Sequence, residues 1–164
     1  MTPLDEALDA FRSPWRTVER MLHHLSIQAR EPQRVATALA ELLGGDVTPF
    51  GPLDGSWIAW ARDETGTAID CLPLGTELRP GEGDESAWFD KAERPSPYGA
   101  THAALSVDRT EDEIKGVAER EGWRAVRCDR GSFAVIEVWV ENAVMLEFLT
   151  PEMAADYLAA VRPV

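Results

Sequence analysis

The sequence is poor in cysteine, poor in basic residues and without any long apolar run. Its two cysteines, Cys71 and Cys128, show no Cys-x-x-Cys spacing, so the expectation is two reduced, partly buried thiols in a cytoplasmic protein. Lys and Arg number 16 against 29 Asp and Glu, a formal net charge of −13. Phosphate recognition needs clustered Lys and Arg, so neither nucleic acid nor an anionic membrane is an expected partner. The acid excess reads as solvated surface and names no substrate. The longest strand-like apolar run, Phe133 to Val140, is interrupted by Glu137, far short of the roughly 20 apolar residues that span a bilayer. The opening Met1-Thr-Pro-Leu-Asp-Glu6 carries neither the basic region nor the apolar core of a signal peptide.

What is present is an ordinary globular composition, 45% hydrophobic and 27% charged over 164 residues, which argues against wholesale disorder. It is also a repeat. His24-Leu-Ser-Ile-Gln-Ala29 alternates polar and apolar residues as a half-buried strand does. Pro32 suits the first turn of a helix whose apolar stripe is Val35, Leu39, Leu42 and Leu43, stopped by Gly44-Gly45. A shift of 78 residues brings His102 onto His24, with His102-Ala-Ala-Leu-Ser-Val107 as the second strand. Thr110-Glu-Asp-Glu113 then forms a capping box, and Ile114, Val117 and Ala118 match Ala36, Leu39 and Ala40. Gly122 follows His102 by the same 20 residues that separate Gly44 from His24.

Three strands follow each helix: 46–50, 56–62 and 67–72 in the first half, 124–128, 133–140 and 144–149 in the second. The expected fold is therefore α+β, two βαβββ modules (22–74 and 101–150) forming one compound domain. One sheet with one helix leaves a face uncovered, so the modules should pair into a larger curved mixed sheet around a cleft, helices outside. Outside the repeat lie an N-terminal helical extension (1–21, its helix at 2–12), a C-terminal helix (within 151–164) and a linker (75–100). The linker is rich in Pro and Gly and reads as a loop with one short helical turn around Ser86–Phe89.

Strand alternation puts His24, Ser26 and Gln28 on one face and Leu25 and Ile27 on the helix-packed face. The same alternation sends His102, Ala104 and Ser106 to the concave side, together with Asp70 and Glu147 from the last strand of each module. Asp70 and Glu147 are 77 residues apart, one short of the repeat. Two imidazoles and two carboxylates converging on a cleft suit a divalent transition metal. Glu137 is either directed into the cleft with Trp139, as a candidate general base, or a rim residue. His23 faces away, Cys71 points to the helix side, and Trp57 and Trp60 take opposite faces, so at most one of those two lines the cleft.

This arrangement resembles the vicinal oxygen chelate superfamily, which includes glyoxalase I, methylmalonyl-CoA epimerase, extradiol dioxygenases and the bleomycin- and fosfomycin-resistance proteins. The resemblance covers about residues 22–150. It rests on the segment His24 to Arg34, on Tyr98-Gly99 with His102 to Asp108, and on Ala68-Ile-Asp70-Cys-Leu72 and Val144-Met-Leu-Glu147-Phe148. In the glyoxalase-like branch the four marked positions ligate metal, which implies His24, Asp70, His102 and Glu147 as ligands of Zn, Ni, Co, Mn or Fe. The sequence departs from the branch in three ways. Asp70 stands where Glu or Gln is usual, Glu141-Asn-Ala143 replaces an Asp-Pro-x-Gly turn, and the linker is long. The absence of a basic cluster counts against an acyl-CoA substrate.

The resemblance implies, first, a metal-dependent lyase or isomerase acting on a small oxygen-chelating substrate through an enolate, with Glu147, or Asp70 if it leaves the metal, as base. The first alternative is an extradiol-type Fe(II) dioxygenase using His24, His102 and Glu147. The second is a non-enzymatic, resistance-type binder of an aromatic or cationic small molecule. A homodimer is expected from the resemblance and from the apolar faces of the terminal helices.

Overall fold

The computed structural model describes residues 22–79, 82, 85–98 and 101–161; the expected helix at 2–12 lies outside them. The first module runs β1 (His24–Ala29), α1 (Pro32–Leu43), β2 (Asp46–Pro49), β3 (Trp57–Trp60) and β4 (Ala68–Pro73). A hairpin of β5 (Thr76–Arg79) and β6 (Trp88–Lys91) follows. The second module runs β7 (Ala103–Ser106), α2 (Glu111–Glu121), β8 (Arg124–Asp129), β9 (Ala134–Val140) and β10 (Val144–Leu149), and α3 (Pro151–Val161) comes last. No helix among these residues is long and apolar enough to cross a membrane.

The two modules share one topology. The sheets run β1-β4-β3-β2 and β7-β10-β9-β8, with the first pair of each parallel and the rest antiparallel. The α+β class and the doubled βαβββ unit follow directly. The register also resolves the missing residue of the repeat. Ser26 lies opposite Asp70 on β4, and Ala104 lies opposite Glu147 on β10. Asp70 and Glu147 are therefore structural equivalents. The next strand places Ile58 opposite Asp70 and Glu137 opposite Glu147.

Each helix covers one face of its sheet. Val35, Ala36, Leu39 and Leu42 are buried on α1, and Ile114, Val117 and Ala118 on α2. They join Ile27, Ile69, Cys71, Ile136, Leu146 and Phe148 in one hydrophobic core that runs through both modules. Gly44 ends α1 in the left-handed conformation (φ 74°), a position where a β-carbon would be strained. Gly45 serves a different end: a β-carbon there would sit 1.8 Å from the Trp60 carbonyl oxygen.

The modules are joined by side chains and helix packing, the two four-stranded ladders remaining separate among the described residues. The Glu141 carboxylate, in the β9–β10 turn, accepts hydrogen bonds from the backbone N–H groups of Arg30 (2.6 Å) and Glu31 (2.8 Å). Glu31 is the N-cap of α1 and makes no side-chain cap of its own. A carboxylate of the second module thus stands at the positive end of a first-module helix. Arg34 pairs with Glu121 and Arg120 with Glu41 between the two helices.

The linker corrects the expected helical turn. Residues 88–91 form a strand, paired Phe89 to Leu78 and Asp90 to Glu77. The adjacent Trp88 and Phe89 favour a pleated surface, and Phe89 meets Phe50 edge-on with ring centroids 6.2 Å apart. The Gln28 side chain fastens the hairpin to β1, donating to the Thr76 carbonyl and accepting from the Gly75 N–H, each at 3.0 Å.

Candidate functional site

Alternation along β1 and β4 delivers the first half of the site. Asp70 is 8% exposed, accepts a hydrogen bond from Ser26 Oγ at 3.2 Å, and has its Oδ2 4.0 Å from His24 Nε2. A buried carboxylate needs such partners, since desolvation without them is costly. His23 turns elsewhere, its Nδ1 2.6 Å from the Thr65 carbonyl oxygen. Trp60 shares the Asp70 face, and its indole N–H donates to Thr48 Oγ1 at 2.9 Å. Trp57 takes the opposite face, against the core.

The second half is built around an arginine. Glu137 and Glu147 are directly opposed on β9 and β10, and Arg130, in the β8–β9 turn, donates from Nη2 to both, at 2.8 Å each. The Trp139 indole N–H adds a 3.2 Å bond to Glu137, and Arg124 lies 3.5 Å from it. The hydrogen bond from Arg130, helped by that from Trp139, holds the Glu137 carboxyl at about 2, against an ordinary 4.5. The hydrogen bonds to Glu147 and Glu137 in turn push the Arg130 guanidinium higher still.

The structure thus brings His24 to Asp70, and Glu137 to Glu147 through Arg130. His102 is exposed, one residue before β7. Among the described residues, no three His, Cys, Asp or Glu side chains gather as a group able to hold a metal ion. His24, Asp70, His102 and Glu147 are not gathered as one ligand set here, Glu147 being held by the Arg130 guanidinium. Sequence reasoning missed Arg130, which sits in a segment that reads as a turn. The available signal was a cation at the tip of a hairpin whose outgoing strand carries an inward Glu.

At the seam between the modules lies a cavity of about 170 Å³, lined by Ser26, Gln28, Tyr98, Thr101 and Val144 among others. It is small beside the usual ligand pocket of roughly 300 Å³ or more. Its hydroxyls, amide and phenol ring suit a compact molecule with a polar edge. Ser26 belongs both to this cavity and to the Asp70 hydrogen bond, so the cavity adjoins the first half of the site.

No protein-family model and no curated protein matches the sequence. Among solved structures, a glyoxalase family protein from Bacillus anthracis is similar, at 14% identity and TM-score 0.50, over 81% of this chain and 96% of that one. A glyoxylase/bleomycin resistance protein/dioxygenase domain from Frankia sp. EAN1pec is similar at 13% identity and TM-score 0.50, over 79% of this chain and 95% of that one. Identity at this level speaks for the fold alone. With the doubled βαβββ topology and its matched registers, it gives this chain the fold of these glyoxalase and bleomycin-resistance/dioxygenase structures.

Proposed function

We propose that this chain binds a small molecule at the seam between its two modules, without a resident metal and without turning it over. The observation that carries this reading is the seam cavity, whose wall continues through Ser26 to the buried Asp70 carboxylate. A tyrosine ring in the lining, with a buried carboxylate behind Ser26, favours a cationic or aromatic guest. A homodimer is part of the proposal. It is supported by the exposed Trp88 of the linker hairpin and Leu158 of α3, apolar groups that a second copy would cover.

One observation favours a second reading, a glyoxalase-like metal-dependent lyase or isomerase. Asp70 and Glu147 occupy equivalent register positions, and His24 lies beside Asp70. The deciding experiment has two arms. In the first, metal content is measured on protein purified without chelator, beside His102→Ala. In the second, chelator-treated protein is titrated with small aromatic and cationic compounds, beside Tyr98→Ala. Metal-free binding that Tyr98→Ala weakens supports the binder. Stoichiometric metal that His102→Ala removes overturns it in favour of the metalloenzyme.

A further inference from the structure

The two modules carry equivalent carboxylates in unlike surroundings. Opposite Asp70 in the sheet stands Ile58, and the carboxylate takes its hydrogen bond from a hydroxyl. Opposite Glu147 stands Glu137, a second carboxylate on the same face. Like charges directly across an antiparallel pair repel, and both side chains here are only 15% exposed, so water screens them poorly. The repulsion is resolved by one guanidinium nitrogen, 2.8 Å from an oxygen of each.

The turn that aims this guanidinium is itself built. Asp129 Oδ1 accepts the Gly131 N–H at 2.7 Å, and the Arg130 N–H donates to the Phe133 carbonyl at 2.8 Å. Gly131 has φ +88°, a conformation that glycine adopts without strain. Loop, register and charge therefore converge on one contact.

We propose that Arg130 is the resident cation between the opposed carboxylates of the second module's sheet, and that it determines ligand preference by excluding divalent cations from Glu147. A metal reaching Glu147 must first displace a guanidinium shared by two partly dry carboxylates. Displacement would leave the arginine without its partners and the metal beside a site with one opposed carboxylate, not a prepared cage. The exclusion at Glu147 belongs to a single side chain, Arg124 pairing with Glu137 instead, so removing Arg130 should free Glu147 for a hard or borderline cation.

The test is calorimetric titration of chelator-treated protein with Mn²⁺ and with Zn²⁺, circular dichroism confirming the fold of each variant. Wild type and Glu147→Gln should give the same metal affinity. Arg130→Met should bind about tenfold tighter or more, and Arg130→Met combined with Glu147→Gln should lose that gain. A folded Arg130→Met variant with wild-type affinity would overturn the proposal. So would a wild type whose affinity falls about tenfold on Glu147→Gln, and this comparison decides the matter if Arg130→Met does not fold. The ligand-binding reading fails or stands in a separate, metal-free titration, so the two failures are distinguishable.

Discussion

At neutral pH Glu137 is an anion gripped by Arg130, with Trp139 in support, and its carboxyl lies at about 2. A general base works best with a pKa near the working pH, so this carboxylate is a poor proton acceptor and a good electrostatic anchor. Its folded-state value is depressed below the ordinary 4.5. The stability it contributes is therefore complete above about 4.5 and is lost as pH falls from there through about 2. Glu137→Gln should lower the melting temperature at neutral pH and flatten its decline across that acid window, as read by thermal melts at successive pH values. Cys71 makes a second residue-scale case. Burial raises its thiol well above the ordinary range, with the Asp70 charge adding to the effect. Thiolate is the reactive form, so an alkylating reagent at neutral pH should label Cys128 well before Cys71 in the folded protein, by mass spectrometry. The shared face of Asp70 and Glu147 was legible from alternation alone, whereas Glu137 could equally have stood at the rim. Their partners were not, because a hydrogen bond across 17 residues, such as Arg130 to Glu147, depends on register and turn geometry.

Among the elements, the helices were the most legible because their signals are local. The capping box at Thr110 forms as its spacing predicts: the hydroxyl accepts the Glu113 N–H at 3.3 Å and Glu113 accepts the Thr110 N–H at 2.7 Å. Thr110→Ala should cost about 1 kcal/mol in urea denaturation. The Gly44-Gly45 stop was legible as a stop, but the need for the second glycine comes from β3, whose Trp60 carbonyl leaves no room for a β-carbon. Gly45→Ala should destabilise by about 1–3 kcal/mol, in the manner of overpacking, again by urea denaturation. The linker hairpin was the least legible element. Its pairing of Leu78 with Phe89 spans a stretch of sequence containing Pro80, Gly81 and Gly83, and the contact with Phe50 and the anchoring by Gln28 give those short strands a surface to fold on.

For the whole molecule, the joint between modules matters most. Glu141 and Asn142 both adopt positive φ, 50° and 54°, the hairpin-turn geometry that matches strand twist. That turn carries the Glu141 carboxylate to the N-cap residue of α1 and the residue before it. Glu141→Ala should lower stability by about 1 kcal/mol and speed hydrogen exchange at the amides of Arg30 and Glu31. The loss should shrink at high salt, since these bonds are exposed and screening reaches them. The sequence by itself determined what depends on near neighbours: the strand and helix periods, the caps, the 78-residue repeat, and hence the doubled βαβββ fold. Tertiary structure alone decided the rest. The register made Asp70 and Glu147 equivalent, one module's turn capped the other's helix, and Arg130 was set between two carboxylates where sequence alone suggested a metal. Period and capping act over a few residues, whereas these contacts join residues far apart in the chain whose distance is fixed only once the sheets have formed.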